Sequence, residues 1–451
     1  MTREDLTQLS HERLVNLVLE QQGEIEALRM KLDKGKKPPT NSGNSSQPPS
    51  QDQKGNQSSK QKRHRHGPPK GHVKFERKFV SQPDHVVELK RTICQECQTD
   101  LRQAEQVLLD INQITELPEA KAEVIEVRQY SVECPCCGIG QVKMPAAGLE
   151  MERTFGARLE ATVVYYRQEQ HMSYVRTQAA LQNLHGLEIS QGGIDKIMQR
   201  AGRKAIEAVK PIQQAIQQSA VIHSDETSSR VDGNTWWQWV FCSANTVLHV
   251  MRFNRSEDVI KDVMGDHKAE VWVSDCYGPQ MKAPSEKHQL CMAHQLRNLQ
   301  AVVEQNRKHF WARHVQLLFR YAIHLHNQRQ QLSEQIFLNR IQRIEKCFDK
   351  LLHQSLDPPD ARRLQRRYLK YRSAIFVFLS RTDVSPTNNV SERHLRPSVI
   401  HRKVSGGFRS DWGAKGYAAL KSLVDTGLLS DTAPFHVIQN LFGFPSLPLT
   451  A

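Results

Sequence analysis

The stretch AVIHSDET, residues 220–227, decides how the chain folds. It opens on small and β-branched apolar residues and closes on acids, the pattern of a buried strand ending at Asp225. TWWQWVFCSA reads as a second strand, with Trp236, Gln238 and Val240 on one alternate face, and TVLHVMRF as a third. A short helix near residues 256–264 leads to EVWVSDCYG, a fourth strand that ends at Asp275. A meander followed by a right-handed crossover sets the fourth strand beside the first. Ligands bind at the carboxyl ends of neighbouring strands in such a sheet.

Two carboxylates side by side are costly unless a positive charge lies between them, and Mg²⁺ or Mn²⁺ supplies it. With a third carboxylate the group holds two ions about 3.5–4 Å apart, a clamp for the attacking and leaving oxygens of a phosphodiester. Taken singly, Asp225 and Asp275 read equally well as turn or cap residues. The third acid is sought in NNVSERHLRP, residues 388–397, where Glu392 follows two asparagines and stands among Arg393, His394 and Arg396. One reading is a solvated helix start, capped by Asn388 or Asn389, with Glu392 paired to Arg396. The other packs this helix on the sheet, turns Glu392 toward the two aspartates and leaves Arg393 and Arg396 facing phosphate.

The 451 residues suffice for two to four domains. Lys and Arg number 62 against 48 Asp and Glu, a net charge of +14, which favours a polyanion partner such as nucleic acid. No apolar run approaches the ~18 residues of a membrane span. The opening MTREDLTQLS has no apolar signal core, so a cytoplasmic protein acting at the nucleoid, without membrane contact, is expected.

Residues 1–33 carry Leu14, Val18, Ile25, Leu28 and Leu32, with Gln21 in register, a short coiled-coil seam or a lone amphipathic helix. Residues 34–78 are rich in Pro, Ser, Asn and Gln and hold 12 Lys or Arg against 2 acids, a disordered basic arm or spacer. Residues 79–150 hold two CxxC pairs, Cys94 with Cys97 and Cys134 with Cys137, which read as a tetrahedral structural Zn²⁺ site or as reduced cysteines without metal. Gly138 suits the turn after the second pair, and Cys136 is a spectator.

Residues 151–215 read as helical. One helix ends near His185 and Gly186, and Ser190 caps a second carrying Ile194 and Ile197. This is an ordinary helical hairpin or a helix-turn-helix offering Gln191, Lys196, Gln199 and Arg200 to a DNA groove. The catalytic region is expected over 216–430, with a helical insertion at about 285–380 and a tail over 431–451. Residues 307–381 hold 16 Lys or Arg and 5 Asp or Glu. Within them Arg362, Arg363, Arg366, Arg367 and Lys370 line a helix face, and with Arg393, Arg396, Arg402 and Lys403 they are the candidate DNA contacts. Cys291 and His294 lack evident partners as a metal pair. The glycines of SGGFRSDWGAKG let backbone approach DNA closely or make plain turns.

The ordered set resembles the DDE transposases of bacterial insertion sequences, and within them the insertion sequence 66 family. The resemblance rests on the NSSQPPS linker, GPPKGH, CxxC…CPCCG, HSDET, SDCYG, CMAH and NNVSERHLRP with the following HRKVSGGFRSDWGAKGYAALKSLVDT, the most specific motif. It implies a multidomain α/β protein: a ribonuclease-H-like catalytic core with a helical insertion, preceded by a coiled coil, a zinc-binding module and a helical DNA-binding region. It further implies Asp225, Asp275 and Glu392 as catalytic and Mg²⁺-binding residues. The reaction implied is cleavage and strand transfer at an element's terminal repeats and into target DNA, by a dimer or larger assembly, with accessory proteins as possible partners. The position after Asp275 holds Cys276 where the family pattern has glycine. The rival readings are a DNA-binding protein of transposase descent that does not cut, and a hydrolytic nuclease of the same fold.

Overall fold

The computed structural model describes residues 77–145, 154–305 and 310–443. The expected coiled coil and all but the last two residues of the basic linker lie outside the described residues. The chain divides into two compact units, Lys54–Ala122 and the remainder.

Within Lys54–Ala122 the first CxxC pair forms a tight turn. The Cys94 N–H donates to the Thr99 carbonyl (2.9 Å) and the Gln98 N–H to the Cys94 carbonyl (3.1 Å), with Gln98 at φ 60°. In the other unit, β1 (Ser131–Glu133) and β2 (Gly140–Val142) form an antiparallel hairpin around the second pair. The bonds repeat: the Cys134 N–H donates to Ile139 (3.0 Å) and the Gly138 N–H to Cys134 (2.8 Å), with Gly138 at φ 68°. Glycine takes that left-handed conformation at little cost.

Among the described residues, four helices precede the sheet: α1 (Ala157–Gln168), α2 (Tyr174–His185), α3 (Gln191–Ala208) and α4 (Lys210–Gln217). The expected punctuation is present. Gly186 closes α2 at φ 61°, and the Ser190 hydroxyl accepts from the Gly193 N–H (3.0 Å) at the start of α3. Ile194, Ile197, Ala201 and Ala205 make the buried stripe of α3.

The sheet follows as β3 (Val221–Val231), β4 (Asn234–Cys242), β5 (Val247–Arg252), helix α5 (Asp258–Met264), β6 (Ala269–Ser274) and β7 (Ser285–Leu290). Its order is β5-β4-β3-β6-β7, antiparallel through β3 and parallel from there on. The crossover through α5 therefore sets β6 beside β3, as its sequence order predicts.

Two expectations are corrected. β3 does not end at Asp225 but runs on to Val231, because β4 pairs with it along its whole outer half. The helical insertion does not begin at about residue 285. SEKHQL is a fifth strand, too polar to show strand periodicity and recruited by parallel pairing with β6.

Beyond β7 come α6 (Met292–Gln305), α7 (Phe310–Asn327), α8 (Glu334–Leu352), α9 (Pro359–Lys370), the short α10 (Val377–Ser380), α11 (Asn389–Ser405), α12 (Asp411–Leu429) and α13 (Pro434–Leu441). Both faces of the sheet are covered. Ile222, Trp239, Phe241 and Trp272 pack with Val259, Ile260, Val263 and Met264 of the α5 region on one side. On the other, Val240, Cys242 and Val247 meet Leu395 of α11, while Val271, Val273 and Leu290 meet the insertion helices. Helices α1–α3 share one buried core with Ala419, Leu420 and Val424 of α12 and Ile438 of α13.

Candidate active site

The parallel register builds the site. Val221, Ile222 and His223 of β3 stand opposite Val271, Trp272 and Val273 of β6. The same offset carries Asp225 to a position opposite Asp275, at the carboxyl end of the parallel pair. Alternation along the strands then turns both aspartates to the face that α11 covers. Asp225 pairs with Val240, which packs against that helix region.

α11 is held there by Asn388, which is buried just ahead of its first turn. Its amide nitrogen donates to the Ser224 carbonyl (2.8 Å), and its carbonyl accepts from Ser391 (2.9 Å) and His223 (3.3 Å). The Asn388 backbone N–H donates to the Cys291 sulfur (3.1 Å). Asn388 therefore occupies the N-cap position without capping through its side chain, which is spent on the sheet. Burial pushes His223 down to about 4, so a neutral ring makes this contact.

Glu392 lies in the first turn of α11. The expected pairing with Arg396 is not among the ion pairs of the described residues. Arg297 of α6 instead donates to the Glu392 carboxylate at 3.1 Å, and His294 Nδ1 stands 3.7 Å away. That Nδ1 is buried with no hydrogen-bond partner. Asp225 accepts from the Glu226 N–H (2.9 Å), and Asp275 from the Tyr277 N–H (2.8 Å). Burial, then the carboxylates of Glu226 and Asp275, and then that of Glu392, raise the Asp225 carboxyl well above the usual carboxylate range. An acid so placed accommodates a cation, and the orphaned His294 nitrogen beside Glu392 fits the same reading. Among the described residues, no three His, Cys, Asp or Glu side chains converge closely enough to hold an ion. Arg297 occupies Glu392 instead.

Glu226 escaped the sequence reading. Alternation sends it to the opposite face, where Arg255 donates to it twice (2.9 and 2.6 Å) and Gln280 once (2.7 Å). Arg255 is clamped between the rings of Trp237 and Tyr277, at 4.4 and 3.9 Å. Its own burial, then Asp275, raises the Glu226 carboxyl. The acid adjacent to Asp225 in HSDET was the available signal, but nothing in sequence pointed to Arg255, Gln280 or Arg297.

The candidate DNA contacts separate. On α9, Ala361, Leu364 and Tyr368 turn inward, while Arg362, Arg363, Arg366 and Lys370 are exposed. Arg367 and Lys370 lie near enough to Cys276 to act electrostatically on its thiol, so the end of this basic helix reaches the neighbourhood of Asp275. Arg393, Arg396 and Lys403 are exposed on α11, whereas half-buried Arg402 donates to Thr227 Oγ1 at 2.9 Å. Of the groove candidates on α3, Gln191 and Lys196 are exposed, but Arg200 pairs with Glu160 and Gln199 donates to Asp195 (2.8 Å). Cys291 is buried, and burial raises its thiol, consistent with packing.

The two CxxC turns have thiol-activating surroundings. The Thr99 hydroxyl lowers Cys97, and backbone N–H groups of Cys137 and Cys136 lower Cys134. A lowered thiol pKa favours the thiolate, the form that ligates metal.

Residues 152–416 match the transposase IS66 family, and residues 91–138 match the zinc-finger binding domain of transposase IS66. The chain belongs to the IS66 transposase family. Transposition is the function this membership implies, with DNA as the partner. The IS66 match contains Asp225, Asp275 and Glu392, and the zinc-finger match spans all four cysteines of the CxxC turns. No curated protein matches the chain. No helix among the described residues is long and apolar enough to cross a membrane.

Proposed function

We propose that this IS66 transposase cleaves DNA and transfers the cut strand with Asp225, Asp275 and Glu392 as its metal-holding acids. The observation that carries the reading is the shared register of Asp225 and Asp275, with Asn388 fastening the Glu392 helix to the same strand. The sheet order supports a ribonuclease-H-like core. When bound, divalent Mg²⁺ or Mn²⁺ activates the attacking oxygen and steadies the leaving oxygen of the phosphodiester.

The chain's own residues do the rest. Asp225 and Asp275 offer oxygens from two fixed strands. Glu392 would offer a third from the first turn of α11, where Arg297 pairs with it. Arg367 and Lys370, beside Cys276, attract the phosphate backbone toward the acids. Cys94, Cys97, Cys134 and Cys137 are the proposed Zn²⁺ ligands. α2 and α3, the exposed arginines of α9, and Arg393, Arg396, Arg402 and Lys403 are proposed DNA contacts. Dimerisation through the N-terminal segment completes the reading.

The test is strand cleavage and joining on DNA carrying the repeats that flank the gene, with Mg²⁺ or Mn²⁺. Asp225→Asn, Asp275→Asn or Glu392→Gln should each lower cleavage by at least ~10³-fold, on the order of 4 kcal/mol. DNA affinity should stay within about twofold, because the backbone contacts that dominate it remain. Cleavage within about tenfold of wild type in any of the three would remove that acid from the site. Tight binding of the repeats by the wild-type protein without any cutting would favour the non-cutting DNA-binding reading.

A further inference from the structure

β3 and β4 run past the parallel part of the sheet as a hairpin whose turn, Asp232 and Gly233, takes positive φ of 47° and 74°. The segment after α11 lies along this hairpin like an added strand. The Phe408 N–H donates to the Arg230 carbonyl (2.8 Å), and the Asp232 N–H to the Phe408 carbonyl (2.9 Å). Gly407 makes the approach possible: at φ 105°, a Cβ there would stand 2.6 Å from the Arg230 oxygen. The close approach available to SGGF is thus to the protein's own β3.

A cavity of about 290 Å³ opens where α11, its glycine exit and the hairpin meet. Arg230 and Arg402 line it together with the hydroxyl residues Ser228, Ser229 and Thr235 and the backbone of Gly406 and Gly407. No carboxylate lines it. Arg402 is anchored by Thr227 Oγ1 (2.9 Å) and by the Ser228 carbonyl. Arg230 is anchored by the Gly233 carbonyl (3.0 Å) and Thr235 Oγ1 (3.1 Å). Each guanidinium has five N–H donors, so both retain donors beyond these anchors. Among the described residues neither has a carboxylate at ion-pair distance. Two oriented guanidinium groups without a counter-charge, flanked by hydroxyls and glycine backbone, make an anion pocket, and the planar fork of arginine suits phosphate oxygens.

Its position says which anion. Ser228–Arg230 follow Asp225 by three to five residues, ~10–17 Å along a strand. Arg402 follows Glu392 by ten residues, ~15 Å along a helix. β3 and α11, which carry Asp225 and Glu392, therefore both reach the pocket, about three to five nucleotides of a duplex at 3.4 Å each, with Ser228 and Arg230 on the face of β3 opposite Asp225 and Arg402 coming to it from α11.

We propose that this cavity grips one backbone phosphodiester of the DNA strand, three to five nucleotides from the bond that is cut. The proposal rests on the transposase reading above for the identity of the polyanion. It sets the register of the DNA over the acids and adds Arg230, Ser228, Ser229 and Thr235 to the DNA-contacting surface.

The test uses the full chain and end-repeat duplexes in which single phosphates are replaced, one at a time, by neutral methylphosphonates. Binding is measured for wild type, Arg230→Ala and Arg402→Lys, each checked for unchanged thermal unfolding. Arg230 is exposed, so its substitution tests the pocket without disturbing the helix. One methylphosphonate, three to five positions from the cut, should weaken wild-type binding about tenfold, and Arg230→Ala should bind that duplex no worse than it binds unmodified DNA. If wild type and both variants respond alike at every position, the pocket is overturned, whatever the acids do. If the coupling appears while Asp225→Asn still cuts, the pocket stands and the catalytic assignment falls. A chain that binds no duplex at all overturns both.

Discussion

Asp225 and Asp425 are both enclosed carboxylates that belong to the α11 side of the sheet, and their surroundings are opposite. Asp225 has acids for neighbours. Asp425, on α12, receives His249 Nε2 at 3.0 Å, His394 Nδ1 at 2.9 Å and the Lys421 ammonium at 2.8 Å. The proton arrangement is consistent. Gln238 donates to His249 Nδ1, which leaves Nε2–H to donate to Asp425. Burial alone would raise the Asp425 carboxyl, but the hydrogen bonds from His249 and His394 and the charge of Lys421 outweigh it and hold it well below the usual range. Lys421 is shared with Glu169 of the α1 end at 3.4 Å. One carboxylate is saturated and ties α12, α11 and β5 together. The other is left with like charges, as a cation site requires. α11 acts on both, through the charge of Glu392 on Asp225 and through the His394 contact to Asp425.

The contrast is broken most severely at Asp425. Asp425→Ala leaves Lys421 buried with one partner and His249 with an unsatisfied N–H, and it should cost about 3–5 kcal/mol. Urea unfolding should show a lower midpoint at an unchanged slope. A loss below about 1 kcal/mol would mean that the cluster carries little of the fold.

A smaller effect is expected at the joint between the two regions. Asn388→Ala removes three side-chain hydrogen bonds inside the protein and should cost about 1–3 kcal/mol. It should also slow cleavage by up to ~10²-fold by letting Glu392 drift from Asp225, with DNA binding kept. Normal cleavage by a destabilised variant would show that Asn388 serves stability alone.

Smaller again is the gain from metal. Mg²⁺ or Mn²⁺ at ten times its dissociation constant should stabilise the wild-type protein by about 1.4 kcal/mol. The gain should vanish in Asp225→Asn and survive in Asp425→Asn. Equal gains in all three proteins would place the ion elsewhere.

The two regions were unequally legible in sequence. The neighbouring positions of Asp225 and Asp275 could be read because each follows a short apolar run, and the helix between the runs makes the crossover that sets their strands side by side. Asp425 could not be found. It sits in ALKSLVDT as an ordinary helix residue, and its partners come from β5, α11 and the same helix, up to 176 residues away. The asparagines of NNVSERHLRP announced a helix start correctly, but local rules supplied the wrong bonds. Asn388 was needed by the sheet and Glu392 was drawn to Arg297, because tertiary partners outcompete i,i+4 pairs worth a few tenths of a kcal/mol. β7 was missed for a related reason: an edge strand of Ser, Glu, Lys, His and Gln has no period to read until β6 offers its free edge.

Acid provides the gentlest test. A carboxyl whose folded pKa is depressed contributes stability that is present above its unfolded value, about 3.9, and is lost as pH falls below it. For Asp425 this means a loss of about 1 kcal/mol between pH 5 and pH 3. Asp425→Asn lacks the ionisation and escapes that term. Urea unfolding of both proteins across this range should therefore show the wild-type advantage shrinking by about 1 kcal/mol as pH falls. A constant advantage would mean that Asp425 is already protonated at neutral pH, with His249, His394 and Lys421 failing to outweigh its burial. Asp425 would then be no better compensated than Asp225, and the distinction between a saturated carboxylate and one that awaits a cation would collapse.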